Sequence, residues 1–362
     1  MLIRAPNTRK SLYGIVALLC LMLSACATRP GSPVTVSGKV IEDNAAAKKQ
    51  SLNSTEQAAL RAVTAFKNFL SQHNIKRGAI AISYNGELLG SHGVNRLVTE
   101  AVPVASLSKA ITAVCATHAL AAAGKTLDTT LAELFPAFFM ERPVADENFK
   151  NITVQQLASH TSGIRAESVI NFGYRGKNIR KEHNEWIFRQ VAAQPLVSVP
   201  GTKFNYDNAS YAILGLIIST LANEPYNQYC NNNILKTAGV ESAEMYKQWL
   251  IKSSFGGWKI SAVDYLKFID TYYRDPRGIG RKRFTNRYGH HYGLGAAYRK
   301  GKIGYNYWHH GSFHWISTVR NVSYGSFFAV FGNGYSVVVN FSRDGGAGRR
   351  EALDAALYNA FY

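Results

Sequence analysis

Strand-forming sequence lies at both ends of this chain, with helix-forming sequence between them. Near the start, Ala79 to Tyr84 is apolar or alternating, Asn85-Gly86 is a strong hairpin turn, and Leu88-Leu89 returns. Near the end, Trp315 to Val322, Tyr324 to Phe331 and Tyr335 to Phe341 are rich in β-branched and aromatic residues, and Asn333-Gly334 turns the last pair. From Ser106 to about residue 250 the pattern is helical. Ser54 with Gln57 three residues on reads as a helix start, followed by Leu60, Val63, Phe66 and Leu70 at helical spacing. A last amphipathic helix is expected over Arg349 to Tyr358. The expected fold is therefore mixed α+β: one antiparallel sheet built from both termini, flanked by helices, with an inserted helical region. The sheet portion takes residues of about 54–125 and 250–362, and the helical portion about 126–249.

The first residues read as an export signal. Arg4, Arg9 and Lys10 form a positive n-region, and Leu12 to Met22 is an apolar run shorter than the ~20 residues a membrane-spanning helix needs. The run closes on Leu23-Ser24-Ala25-Cys26, which resembles a bacterial lipoprotein lipobox. That resemblance implies cleavage after residue 25 and acylation of Cys26, a multi-chain anchor to a lipid membrane. Ala27 stands where an inner-membrane retention signal would place Asp, so a diderm bacterium would carry the protein on the periplasmic side of its outer membrane. Residues 26–53 read as a tether, and 54–362 as the folded domain.

Charge narrows the partners. Lys and Arg number 41 against 23 Asp and Glu, which favours anionic surroundings. Export makes nucleic acid an unsuitable partner and leaves an anionic cell-envelope polymer or generic solubility as readings. A hydrophobic fraction of 46% excludes global disorder. Four cysteines are too few for a disulfide scaffold, and no CxxC pair suggests zinc. Cys115 lies in an apolar helical run and is expected as a buried free thiol.

The chemistry begins at Ser106-Leu107-Ser108-Lys109. Serine is a poor nucleophile until a nearby base takes its proton. If Ser106 opens a helix, Lys109 at i+3 shares its face, and the helix N-terminus favours developing negative charge. Alone the pattern is weak, but Tyr206-Asp207-Asn208 follows one hundred residues on, offering a phenol and an amide from one loop. Lys109 beside Tyr206 would favour phenolate, making Tyr206 a candidate base and later acid. Asn208 is a candidate substrate-amide ligand. Trp308-His309-His310-Gly311-Ser312 then precedes the first C-terminal strand, where Gly311 allows close backbone approach and the Ser312 N–H is a candidate oxyanion donor.

Together with Val104-Ala105-Ser106, Ile152 to Leu157, His160-Thr161-Ser162-Gly163 and Gly256-Gly257, these motifs resemble the serine β-lactamase and penicillin-binding superfamily in its class C-like branch. The resemblance runs from about Gly78 to Phe341 and implies a β-lactamase-like fold and an acyl-enzyme on Ser106. It implies Lys109 and Tyr206 as catalytic, an oxyanion hole from the backbone of Ser106 and Ser312, and substrate contacts from Asn208, His309, His310 and Gly311. His160 and Gly163 are structural on this reading. The substrate would be a small molecule or peptide with an ester or amide bond, and no cofactor is implied.

The third motif departs from the Lys-Thr-Gly of true β-lactamases. His309 and His310 replace a permanent cation and a hydroxyl, closer to the pattern of esterases and D,D-peptidases. His309, near its ordinary pKa of about 6.5, would gain charge only on acidification. Basic residues Arg175, Lys177, Arg180 and Lys181 read as a solvated loop, and His290-His291 as another polar loop. No HxHxD or HExxH arrangement supports a metal. A true class C-like β-lactamase and a catalytically silent cell-wall binding protein remain alternatives; intact Ser106, Lys109 and Tyr206 speak against the silent one. The expectation for the anchor is direct: Cys26→Ser should release the protein from membranes or block its processing, and membrane fractionation identical to wild type would refute lipidation.

Overall fold

The computed structural model describes residues 34–36, 39–41, 53–165, 183–245, 253–274, 284–285, 290–316, 321–343 and 346–362. Cys26 and the basic residues Arg175, Lys177, Arg180 and Lys181 lie outside them.

The sheet is indeed assembled from both ends. Its strands are β1 (Val34–Val36), β2 (Lys39–Ile41), β3 (Gly78–Tyr84), β4 (Glu87–Val94), β8 (Phe284–Thr285), β9 (His291–Gly293), β10 (Ala296–Gly301), β11 (Gly304–Ile316), β12 (Asn321–Val330) and β13 (Tyr335–Ser342). They lie antiparallel in the order β2-β1-β4-β3-β13-β12-β11-β10-β9-β8. The seam between the ends is β3 on β13, with Ile82 opposite Val337 and Ile80 opposite Val339. A small second sheet orders β5 (Val102–Pro103), β7 (Trp258–Ile260) and β6 (Glu244–Met245).

Period-two alternation divides the core. Ile80, Ile82, Val337 and Val339 face one layer, with Phe66, Phe69 and Leu70 of helix α1 (Ser54–Gln72). Leu353 and Leu357 of the final helix join the same cluster. Ala79, Ala81 and Val338 face the other layer. There they meet α2 (Ser108–Ala122), α3 (Ala209–Ala222) and α4 (Ala262–Tyr272). Helix α2 is apolar nearly all round, as a helix buried at the centre of a domain must be. Small alanines on β3 leave room for α4, which packs on β3 and β13.

Several local expectations shift. The first cap is Asn53 with Glu56, one residue earlier than Ser54 with Gln57, because Asn53 accepts from the Glu56 N–H and Glu56 returns the bond. The stretch read as a tether contains β1 and β2, and β1 extends the sheet beside β4. The first long C-terminal strand begins at Gly304, not Trp315, so the Trp308 to Ser312 motif lies within β11 instead of ahead of it. His291 opens β9, where a polar loop was expected. The last helix, α5, runs over Ala347–Phe361.

Cys115 is not a free thiol. It is bonded to Cys230 of the short helix Tyr226–Cys230, which packs beside α2. The Cα atoms are 5.6 Å apart, within disulfide reach. The apolar setting of Cys115 was read correctly, but local sequence does not reveal a partner 115 residues away. Both thiols should therefore resist alkylation until reductant is added. Replacing both by Ala should lower stability by about 2–4 kcal/mol in urea titrations, since the closed loop is long.

Candidate active site

Ser106 sits in a single 3₁₀ turn, Ala105–Leu107, immediately before α2, instead of opening the α-helix itself. The preceding residue, Ala105, holds φ at 48°, a left-handed conformation that costs a non-glycine residue about 1 kcal/mol or more. Burial against Phe313 and Tyr324 keeps it there. The turn is further pinned by Tyr265, whose hydroxyl donates to the Leu107 carbonyl at 2.8 Å, and by Ser326, which donates to the Val104 carbonyl at 2.7 Å. Ser106 is thus presented half-buried on a fixed turn.

Lys109, one turn on, is 0% exposed. Its Nζ lies 3.2 Å from Ser106 Oγ, 2.8 Å from Asn208 Oδ1 and 3.1 Å from the Phe255 carbonyl. The i+3 expectation therefore holds in distance, although the serine lies outside the helix. Asn208 is the N-cap residue of α3, and its carbonyl oxygen is engaged by the lysine. Asp207 binds the Ser210 N–H and hydroxyl at 2.6 and 2.8 Å, tying the loop to the first turn of α3.

Tyr206 is brought to the same place. Lys109 Nζ is 4.9 Å from its ring centre, and its phenol lies beside Ser106 at the same cavity. Burial raises the phenol above its ordinary range, opposed by the nearby Ser106 hydroxyl and by Arg350, while the Asp207 charge adds to the rise. Because 38% of the residue remains open to solvent, the effect is milder than for the enclosed Tyr211 and Tyr292, which burial pushes well above 10. The resting group is a phenol: burial outweighs the help that the neighbouring lysine gives to the phenolate.

Strand β11 closes the site. A Cβ on Gly311 would stand 2.1 Å from Ser326 Oγ and 2.4 Å from the Val104 carbonyl, so glycine is what lets the strand abut the serine turn. This approach brings Ser312 and Ser106 to one cavity of about 380 Å³. Strand β10 pairs with β11 only as far as Trp308, so the strand edge from His309 onward is not covered by β10.

His309 is buried and neutral. Its Nδ1 is 2.6 Å from the His310 carbonyl, which can only accept, so Nδ1 carries the proton. Nε2 then accepts from the Tyr292 hydroxyl at 2.9 Å. Burial, reinforced by the Lys109 charge, pushes its pKa well below 6.5. The expected gain of positive charge near pH 6 is therefore corrected. The His310 ring lies against Phe327, 4.5 Å between centres, while still lining the cavity.

Two polar lining residues were not anticipated: Tyr292 on β9 and Arg350 on α5. Tyr292 follows two histidines in a stretch too polar to suggest a strand, and Arg350 is one of many basic residues. Neither carries a local signal. Among the described residues no group of three or more His, Cys, Asp or Glu side chains is placed to hold a metal ion.

Known proteins share this fold. Protein flp of Staphylococcus aureus (strain COL) is 30% identical over 183 residues, covering 48% of this chain and 35% of that protein. The matched part thus spans about a third of that relative's length. A class C β-lactamase mutant superposes with a TM-score of 0.66 at 13% identity, covering 86% of this chain and 99% of the other. A D-stereospecific amidohydrolase from a Streptomyces species gives 0.63 at 18%, covering 83% and 98%. At such identities the structures establish the fold alone. The family model described as Beta-lactamase matches residues 62–360, most of the chain, and the protein belongs to the beta-lactamase family.

Proposed function

We propose that this protein is a serine hydrolase that forms an acyl-enzyme on Ser106 and acts on a small ester or amide, in the manner of an esterase or a D-amino-acid peptidase. The observation that carries the reading is the position of Lys109 Nζ, 3.2 Å from Ser106 Oγ and completely buried, with Tyr206 against both. Lys109 and Tyr206 act as one unit that shares protons: once the resting ammonium–phenol pair has lost one proton to solvent, the unit is amine with phenol or ammonium with phenolate. Either form accepts the Ser106 proton as Oγ bonds to the substrate carbonyl carbon. The oxyanion is held by the N–H groups of Ser106 and Ser312. Collapse returns the proton to the departing alkoxide or amine, and water then cleaves the acyl ester by the same route.

The wall of β11 favours weakly charged acyl groups, because neutral His309 replaces a cation. Arg350 is then the group that attracts a substrate carboxylate. Resemblance to the D-stereospecific amidohydrolase supports the amide side of the reading. Acylated Cys26 would hold the enzyme at the cell envelope, near anionic polymers; that part rests on the sequence.

Labelling with a fluorophosphonate probe tests the nucleophile: Ser106→Ala should abolish it and Ser108→Ala should leave it. Lys109→Ala and Tyr206→Phe should each lower kcat/KM by at least ~10², and the double variant should be little worse than the poorer single. Multiplying losses would refute the shared-proton unit.

The charge argument gives a second prediction. A p-nitrophenyl ester or D-amino-acid amide should be turned over faster than a chromogenic cephalosporin. Arg350→Gln should slow an anionic ester roughly tenfold while sparing a neutral one, the scale of one charged hydrogen bond. Because folding lowers the His309 pKa, acidification through pH 6.5 protonates the unfolded chain first and costs stability without creating a binding charge. Anionic-substrate kcat/KM should therefore show no acid-side rise between pH 5.5 and 8. Such a rise, lost in His309→Gln, would refute the neutral wall.

A further inference from the structure

His160 has no part in the chemistry above, yet it is fully buried within the active-site layer. It follows the short helix Val154–Ala158 and holds φ at 58°, where a non-glycine residue is strained. Two of its atoms grip the loop that carries Tyr206. Its carbonyl accepts from the Asn205 N–H at 2.8 Å, and its ring Nδ1 accepts from the Asp207 N–H at 3.2 Å. Tyr206 is therefore bracketed on both sides by bonds to one residue.

The ring itself lies on the phenol, 4.3 Å between centres. Tyr211 and Tyr292 pack on it at 5.0 and 4.8 Å. The Asp207 carboxylate is 3.6 Å from Nδ1, too far to accept a hydrogen bond, so Nδ1 is the acceptor and the proton resides on Nε2. Nε2 is buried and has no hydrogen-bonding partner among the described residues. Burial lowers the pKa of the imidazole, with Asp207 opposing and the Lys109 charge assisting. A protonated ring would turn Nδ1 into a donor and break its bond from the Asp207 N–H.

We propose that His160 is the positioning residue for Tyr206: its imidazole, in the Nε2–H tautomer, fixes the loop through Asn205 and Asp207 and sets the phenol's plane so that the hydroxyl meets Ser106. This rests on the reading of Tyr206 as part of the proton-transfer unit. The phenol also faces Ser106 from the turn before α2, Lys109 from α2, Asp207 from its own loop, Tyr292 from β9, His309 from β11 and Arg350 from α5. None of these holds the loop backbone on both sides of Tyr206 as His160 does.

The test is a mutant cycle read by the pH–rate profile of a neutral ester. His160→Ala removes ring and acceptor together. It should lower kcat by ~10², the cost of misplacing a catalytic group by about 1 Å, with KM changed less than about threefold. Water admitted beside the phenol relieves its burial, so the pH–rate profile should move to lower pH. His160→Asn tolerates the left-handed backbone and restores an acceptor near the Nδ1 position, so it should recover about tenfold of the loss. Added to Tyr206→Phe, His160→Ala should cost little more. Independent multiplication with Tyr206→Phe, or a pH–rate profile superimposable on wild type, overturns the proposal and leaves His160 a packing residue. If His160→Ala does not fold, the same cycle and profile with His160→Asn decide. Full activity in Tyr206→Phe alone would overturn the proton-transfer reading and this proposal with it, whereas loss there beside independent His160 effects overturns only the latter.

Discussion

The structure is organised around one buried amine. Taking a lysine out of water costs several kcal/mol unless its hydrogens find partners. For Lys109 three such partners are found, two of them from distant segments: Ser106 beside it, Asn208 at the start of α3, and the Phe255 carbonyl. The helical region and the sheet region must both be in place before this amine is satisfied. The site is therefore a consequence of the same contacts that close the fold, and its geometry is as rigid as the core. Neighbouring hydrogen bonds extend the effect. Tyr226 joins Thr112 of α2 at 2.6 Å and the Trp258 indole at 2.9 Å, while Tyr273 holds the Leu294 carbonyl at 2.7 Å. The Cys115–Cys230 bond ties the far part of α2 to the same helical layer.

A second constraint is steric. Without a Cβ at residue 311, β11 approaches the serine turn closely enough for Ser312 to share a cavity with Ser106. The same closeness buries His309 and fixes its tautomer through the His310 carbonyl. Burial and charge then pull in opposite directions: a protonated imidazole would stand near Lys109 in a medium too dry to screen it. The neutral wall follows from the packing, and the guanidinium of Arg350 on α5 is left to supply positive charge to the cavity.

Much of this was legible in the sequence. The Asn85-Gly86 and Asn333-Gly334 turns and the alternation around Ile80, Ile82, Val337 and Val339 specify strands at both ends, and β3 does pair with β13. The spacing of Ser106 and Lys109 reports a local i+3 relation, which survives even though the serine sits in a 3₁₀ turn. What was hidden depends on distant packing. The Cys230 partner, the strand extending back to Gly304, and the lowered pKa of His309 arise from elements far apart in the chain. Tyr292 and Arg350 have unremarkable neighbours in sequence and acquire meaning only when β9 and α5 meet the cavity. The sequence motif suggests a structural role for His160, but its bonds on both sides of Tyr206 come from a loop up to 47 residues away and leave no local signal.

The overall basicity of the chain and the character of the site are separate matters. A formal charge of +18 creates a diffuse field that steers anions to the surface, and salt screens it over about a Debye length. Inside the cavity the balance is set by far fewer groups: Lys109 is committed to its hydrogen bonds, His309 and His160 are held neutral by burial, and Asp207 is occupied with α3. An anionic substrate would thus be attracted from afar and, among the described residues lining the cavity, find Arg350 as the available cation. Charge-assisted hydrogen bonds are roughly twice as strong as neutral ones, so on the proposed function a cation off the strand would weaken anchoring at the scissile bond while leaving encounter unaffected. Selection would then fall to shape along the edge of β11 that β10 leaves uncovered and to the aromatic wall of Tyr206, Tyr292 and Trp308, which would reward apolar acyl groups whatever their charge elsewhere.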